Sequence, residues 1–201
     1  MIVIGLCGGS GSGKGTVADL FLNFDIPSVD TDKVYHDLTS HKSPCLDALV
    51  DEFGEEILSS NGALDRSKLS QIVFLGENSS GKRQILNQIS HKFVLDKTRE
   101  ILKEYRNLGK KAALVDAPLL FESGFDKECD FVIAVIADEY SRIMRIVNRD
   151  NITAEKAKLR IKSQLSDEYL ESNSKYVIKN DGNLLDLRSS VEAIAKEILN
   201  S

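Results

Sequence analysis

Ile2-Val3-Ile4-Gly5-Leu6-Cys7 runs without a break into Gly8-Gly9-Ser10-Gly11-Ser12-Gly13-Lys14-Gly15-Thr16. An apolar run of this length reads as a buried strand, and the glycine-dense turn and lysine after it read as a phosphate-binding loop. Successive backbone N–H groups can converge on a polyphosphate only where side chains stay out of the way, hence the glycines. A helix starting at the lysine would point its positive end at the same anion. Val17, Leu20, Phe21 and Phe24 supply the apolar face of that helix, at spacings of three and four. Lys14 adds a point charge for the outer phosphates. One position breaks the usual pattern. The hydroxyl residue expected directly after the lysine, which normally touches Mg²⁺, is Gly15, and Thr16 comes one place later.

Four further apolar runs extend the pattern: Ile26–Val29, Ala112–Val115, Phe131–Ala137 and the weaker Tyr176–Ile178. Helical periods separate them, including a last helix with Leu184, Leu187, Val191, Ile194 and Ile198 on one face. Strands alternating with helices predict an α/β fold with a parallel sheet of about five strands between helical layers. With 201 residues and no repeat or linker, the chain reads as one domain, 1–201. Residues 33–110 contain no strand signal. They carry helix signals instead: Ser43 before Pro44, Ser67 as a cap, and Ile85, Leu86, Ile89 and Phe93 as an apolar face. That is far more chain than a crossover needs, so it is expected to be a helical acceptor-binding insertion. Residues 146–170 read as a lid over the nucleotide, with a helix capped by Thr153 and Ala154, Ala157, Ile161 and Leu165 inside.

The remaining chemistry gathers at strand ends. Ligands of doubly wound sheets bind beyond the carboxyl ends of the strands. Asp30-Thr31-Asp32 follows the second strand, and Asp116-Ala117-Pro118-Leu119-Leu120-Phe121-Glu122 follows the third. Phosphoryl transfer to a hydroxyl uses a carboxylate that orients the acceptor and takes its proton. Asp32 is the candidate for that role, Asp30 for helix capping, and Asp116 for organising metal-bound water or the acceptor. Arg142, Arg145 and Arg149 share one helix face with no acid among them, against a net charge of −5. Guanidinium groups suit the charge that develops on a transferring phosphoryl group, with Arg145 and Arg149 favoured.

The acidic balance argues against nucleic acid or an anionic membrane as partner. No apolar stretch is long enough to span a bilayer. Three cysteines without a C-x-x-C pair fit reduced thiols in the cytoplasm. None of the three histidines has a metal-ligand pattern; His36 and His41 read as solvated.

In this order, the segments resemble the dephospho-coenzyme A kinase family. The matching segments are Gly8–Thr16, Asp30 and Asp32, Leu64-Asp65-Arg66, His91, Asp116–Glu122, Arg145, Arg149 and Asp150, Gln164, and Val177-Ile178-Lys179-Asn180. The loop alone is generic; Pro118–Glu122 and Val177–Asn180 at these distances are specific. Gly15 departs from the family's serine, and Arg142 stands where glutamine is common. Lys92 stands in place of proline, and Ser174-Lys175 in place of Ala-Asp.

The resemblance implies a three-layer P-loop kinase fold and ATP-dependent phosphorylation of the ribose 3′-hydroxyl of dephospho-CoA, the last step to coenzyme A. It implies ATP contacts from Gly9, Ser10, Gly11, Ser12, Gly13, Lys14, Gly15 and Thr16, with Asn180 near the adenine. Acceptor contacts would come from Asp32, Arg66, His91, Asp116 and Leu120, with Asp32 as base and Lys14, Arg145 and Arg149 stabilising charge. Mg²⁺ would be held through phosphates and water near Thr16, Asp32 and Asp116, with no direct protein ligand, because Gly15 lacks a hydroxyl. Lys14-Gly15-Thr16 also resembles the adenylate-kinase type, so a nucleoside monophosphate kinase is the alternative. No D-G-[FY]-P-R segment supports it. A non-catalytic ATP-binding regulator would need neither Asp32 nor the arginine face.

Overall fold

A computed structural model describes residues 1–75 and 79–200. Five strands, β1 (Ile2–Cys7), β2 (Ser28–Asp30), β3 (Ala112–Asp116), β4 (Phe131–Ile136) and β5 (Tyr176–Lys179), form one sheet in the order β2-β3-β1-β4-β5. All neighbouring pairs are parallel. β1 is central, as its nearly continuous burial from Val3 to Cys7 requires of a strand covered on both faces. The register places Leu6 beside Asp116 and Asp30 beside Asp116, so two carboxylates stand at adjacent strand ends.

The chain contains two compact units. The first comprises Met1–Asp30 with Leu102–Ser201 and holds the whole sheet. Its core joins Ile4, Leu6, Leu114, Ile133 and Val135 of the strands to Val17 and Phe21 of α1 (Lys14–Leu22) and to Leu187, Val191 and Ala195 of α9 (Leu184–Asn200). The expected face of the last helix holds from Leu187 onward, but Leu184 is exposed at the helix start. Gly5 allows a close approach inside this core: a Cβ there would lie 2.7 Å from Leu120 Cδ2 and 3.2 Å from Cys129 Sγ.

The second unit, Thr31–Ile101, has its own core of Leu49, Ile57, Leu69 and Val73, with Ile85, Leu86, Ile89 and Phe93 packed against it. It contains α2 (Thr31–Thr39), α3 (Pro44–Phe53), α4 (Arg66–Ser70) and most of the 29-residue α5 (Ser79–Asn107). Ser43 caps α3 by accepting from Leu46 N, with Pro44 in the first turn. The cap of α4 is Asp65 and not Ser67. The Asp65 carboxylate accepts from the amides of both Ser67 and Lys68, and an ionised oxygen is the stronger acceptor for first-turn donors. Among the described residues of this unit, Leu58 and Leu64 form an isolated antiparallel bridge and no strand is present. Among the described residues no helix is long and apolar enough to cross a membrane.

Candidate active site

The phosphate loop joins β1 to α1. Its backbone takes positive φ at Gly11 (79°) and Gly13 (98°), conformations in which a Cβ is strained. Gly13 is the N-cap of α1 and uses no side-chain cap, so the first-turn amides face outward for an anion. Lys14 Nζ donates to Gly8 O at 3.0 Å, which folds its ammonium back over the loop. Thr16, in the first turn of α1, is exposed, and a Cβ at Gly15 would meet no atom within 4 Å. Ser12 is buried, and its Oγ has no hydrogen-bond partner among the described residues.

The back of the loop is held through its carbonyls. Arg145 Nη1 donates to Gly11 O at 3.0 Å and to Ser12 O at 3.4 Å, while Nη2 donates to Asn180 O at 2.9 Å. Asn180 Nδ2 donates to Ser12 O at 2.7 Å. In a trans peptide the C=O and the following N–H point opposite ways. Donors on the Gly11 and Ser12 carbonyls therefore turn the Ser12 and Gly13 amides away from Arg145. Ser12 N completes a turn on Gly9 O at 3.1 Å. Arg142, also on α6 (Glu139–Asp150), is only 4% exposed and donates to Ser10 O at 3.0 Å.

The arginine face is thus split in use. Arg142 and Arg145 reach the loop, whereas Arg149 is exposed and bonds its neighbour Asp150 at 2.7 Å and 3.0 Å. An acid nevertheless reaches the last of the three from the next position along the helix. Asp150 accepts from Arg149 and from Arg160, and these donors hold its carboxyl well below the usual carboxylate range. The shared carboxylate ties α7 (Ala154–Lys162) to α6, and Ile143, Ile146 and Ala157 pack between them. Thr153 caps α7 as expected. Of the residues expected inside it, Ala154 is exposed in the first turn and Leu165 lies beyond its end. Residues 146–150 are the end of α6, and α8 (Asp167–Ser172) follows the α7 connection.

Beyond β3, Leu120 is buried while Pro118 and Leu119 are exposed. An open cleft lies between this turn, the loop and the α7–α8 connection; Gly8, Leu119, Phe121, Glu122, Gln164 and Leu165 line it. Burial pushes the Cys7 thiol at the end of β1 up to about 11.

Gly9–Thr16, Asp116, Leu120, Arg145, Arg149 and Asn180 lie in the sheet unit. Asp32, Arg66 and His91 belong to the helical unit. There Asp32 is exposed in the first turn of α2, Arg66 lies 5.8 Å over the Tyr35 ring, and His91 is half-buried on α5. Burial raises the Tyr35 hydroxyl above its ordinary value. The reading of the sequence missed Arg142 as a loop contact. It gave no role to Gln164, which bonds Ser10 of the loop, or to Asp167, which pairs with Arg142. The spacing of three between Arg142 and Arg145 was the available signal for the first; nothing in the sequence marks Asp167.

Among the described residues no three His, Cys, Asp or Glu side chains are grouped to hold a metal. The donors at the strand ends are oxygens, Asp30 and Asp116 in adjacent register. That donor set fits Mg²⁺, which binds through one or two carboxylates together with substrate phosphates and water.

A family model described as dephospho-CoA kinase matches residues 2–186. A dephospho-CoA kinase from Fusobacterium nucleatum is 41% identical over 198 residues, covering 98% of this chain and 99% of its own. A crystal structure from Thermus thermophilus aligns with a TM-score of 0.80 at 28% identity, over 98% of this chain and 97% of that one. A dephospho-CoA kinase structure from Campylobacter jejuni gives a TM-score of 0.71 at 25% identity, over 98% and 96%.

Proposed function

We infer the reaction from the family to which the chain belongs, the dephospho-CoA kinases: it is a P-loop phosphotransferase that moves the γ-phosphoryl group of ATP to the ribose 3′-hydroxyl of dephospho-CoA, giving coenzyme A and ADP. The observation that carries this reading is the match over residues 2–186, which extends far past the generic loop into the Asp116–Glu122 turn and the Val177–Asn180 strand end.

The β- and γ-phosphates sit over the amides of the loop and the first turn of α1, with Lys14 moving from Gly8 O to the outer phosphates. Support comes from the positive-φ glycines and from the carbonyl-side grip of Arg145 and Asn180. Arg145 acts mainly by fixing the loop and lending its charge. Arg149 is the cation that meets the transferring group, since its side chain is 62% exposed. Asp32 orients the acceptor hydroxyl and takes its proton, and Arg66, His91, Asp116 and Leu120 are the acceptor contacts. Its exposed place in the first turn of α2 leaves the carboxylate open to an incoming hydroxyl. Mg²⁺, when bound with ATP, would neutralise charge on the phosphates, and Thr16, Asp32 and Asp116 would hold it through water. We assign the enzyme to the cytoplasm, in keeping with its three free thiols.

Release of ADP, measured with ATP–Mg²⁺ and dephospho-CoA beside AMP, CMP and UMP, tests the reading. Turnover of dephospho-CoA alone is expected. Turnover of a nucleoside monophosphate in its place, or no turnover by folded protein that binds ATP, overturns it.

A further inference from the structure

We propose that Arg142, braced by Asp167 and Gln164, is a positioning residue for the nucleotide phosphates. It sets the direction of the Gly11 amide and joins the end of the lid segment to the phosphate loop. Ser10 is held on all of its polar atoms. Its carbonyl accepts from Arg142 Nε at 3.0 Å, its N–H donates to Gln164 Oε1 at 2.8 Å, and its Oγ accepts from Gln164 Nε2 at 3.2 Å. The peptide between Ser10 and Gly11 is planar, so fixing its oxygen on Arg142 turns the Gly11 N–H to the opposite side of the loop. Arg145 and Asn180 do the same for the next two peptides.

The geometry also accounts for two glycines without reference to any ligand. A Cβ at Gly9 would sit 2.0 Å from Arg142 Nη2, and one at Gly11 would sit 2.6 Å from the Arg142 carbonyl oxygen. The loop is packed around this arginine. Its guanidinium is buried, and a buried cation is tolerated only when paired. Asp167 pairs it, accepting from Nη1 at 3.1 Å and 3.3 Å. Asp167 opens α8 and Gln164 follows α7, so the connection between these helices is anchored at Ser10. An arginine that served packing alone would need no bond to a loop carbonyl; here its guanidinium bonds Ser10 O and also fills the space above Gly9, while the main chain of residue 142 fills that above Gly11.

The role deepens the phosphotransferase reading and rests on it for the bound nucleotide, not for the acceptor. The test uses full-length protein, calorimetric binding of a non-hydrolysable ATP analogue, and steady-state kinetics. Arg142→Met removes donor and charge. It is expected to weaken analogue binding and raise KM for ATP about tenfold or more, the scale of a charge-assisted hydrogen bond, while kcat changes less than about threefold. Arg142→Gln combined with Asp167→Asn keeps a donor for Ser10 O and leaves no uncompensated charge. It should return analogue affinity to within about threefold of wild type. Exchanging the charges, Arg142→Asp with Asp167→Arg, should not restore it, because aspartate cannot donate to Ser10 O.

Unchanged analogue affinity in Arg142→Met, with only a lower unfolding temperature, overturns the proposal. So does rescue by the charge exchange. If Arg142→Met does not fold, Asp167→Asn decides: a three- to tenfold loss of analogue affinity supports the role and an unchanged affinity refutes it. Analogue binding involves no acceptor. Protein that shows this pattern yet does not phosphorylate dephospho-CoA refutes the reaction and leaves the positioning role standing.

Discussion

One added methyl group at Gly13 or at Gly15, two residues apart where the loop enters α1, should have opposite consequences. At Gly13 the backbone has φ 98°, and a Cβ would lie 2.2 Å from Asn180 Nδ2. Holding a non-glycine residue in the left-handed region costs about 1–2 kcal/mol. Driving Asn180 off Ser12 O, where it donates at 2.7 Å, forfeits a bond worth about 1 kcal/mol. The loop can relax when no anion is present, so this cost of about 2–3 kcal/mol falls on nucleotide binding. Gly13→Ala should therefore weaken binding of an ATP analogue by about 30- to 150-fold. At Gly15 the new Cβ meets nothing within 4 Å, and the residue lies in the first turn of α1. Gly15→Ala should leave affinity within about threefold and raise the unfolding temperature by up to about 3 °C, through helix propensity. Titration calorimetry with the Mg²⁺–analogue complex and thermal unfolding of both variants measure the pair. Normal binding by Gly13→Ala refutes the reasoning about the loop's own packing. A loss at Gly15→Ala as large as that at Gly13→Ala shows that the bound phosphates, and not the protein, claim the space above residue 15.

Asp32→Asn should lower kcat by about 10²–10⁴-fold while ATP-analogue affinity stays near wild type; near-normal turnover removes Asp32 from its assigned role. Asp150 is held ionised by Arg149 and Arg160, so its folded-state pKa lies below its unfolded value. Its contribution to stability is complete above about pH 4 and fades as the pH falls further. Denaturant unfolding should show Asp150→Asn weaker than wild type at pH 7, with the gap narrowing below about pH 4; a constant gap contradicts the linkage. Burial pushes the thiols of Cys7 and Cys45 up to about 11 and that of Cys129 up to about 12. A disulfide reagent at pH 8 should label the native protein slowly and all three thiols rapidly once it is unfolded. Fast labelling of native protein contradicts their burial.

The sheet was legible because its signals are local. The apolar run of β1 followed by glycines, and the runs that became β3 and β4, each carry their own burial pattern. β2 was placed two residues early, since Ile26 and Pro27 are as buried as the strand that follows them. Caps were legible where one residue type competes alone, as at Ser43 and Thr153. The cap was misplaced at Asp65, where a carboxylate and a serine stand two residues apart. Helical spacing put the arginines on one face, but spacing cannot say what a face meets. Arg142 and Arg145 turn onto loop carbonyls more than 130 residues away in sequence, and Arg149 turns onto its own neighbour. Gln164 entered only through the resemblance, with no role, and Asp167 not at all, because an amide and a carboxylate in a polar segment look solvated until the chain folds.

Gly5 gives the molecule a constraint of another kind. It lies within the central strand, away from the loop, yet the space it leaves is filled by Leu120 of the turn that follows β3. A single side chain is thereby shared between the interior and the wall of the functional cleft. Substitution at position 5 cannot remain a matter of folding alone, because even a methyl must displace Leu120 by a few tenths of an ångström or more, and overpacking of that kind costs about 1–3 kcal/mol. Positions 5 and 120 are therefore expected to drift together or not at all, so a residue that never meets substrate limits which sequences this lineage can explore.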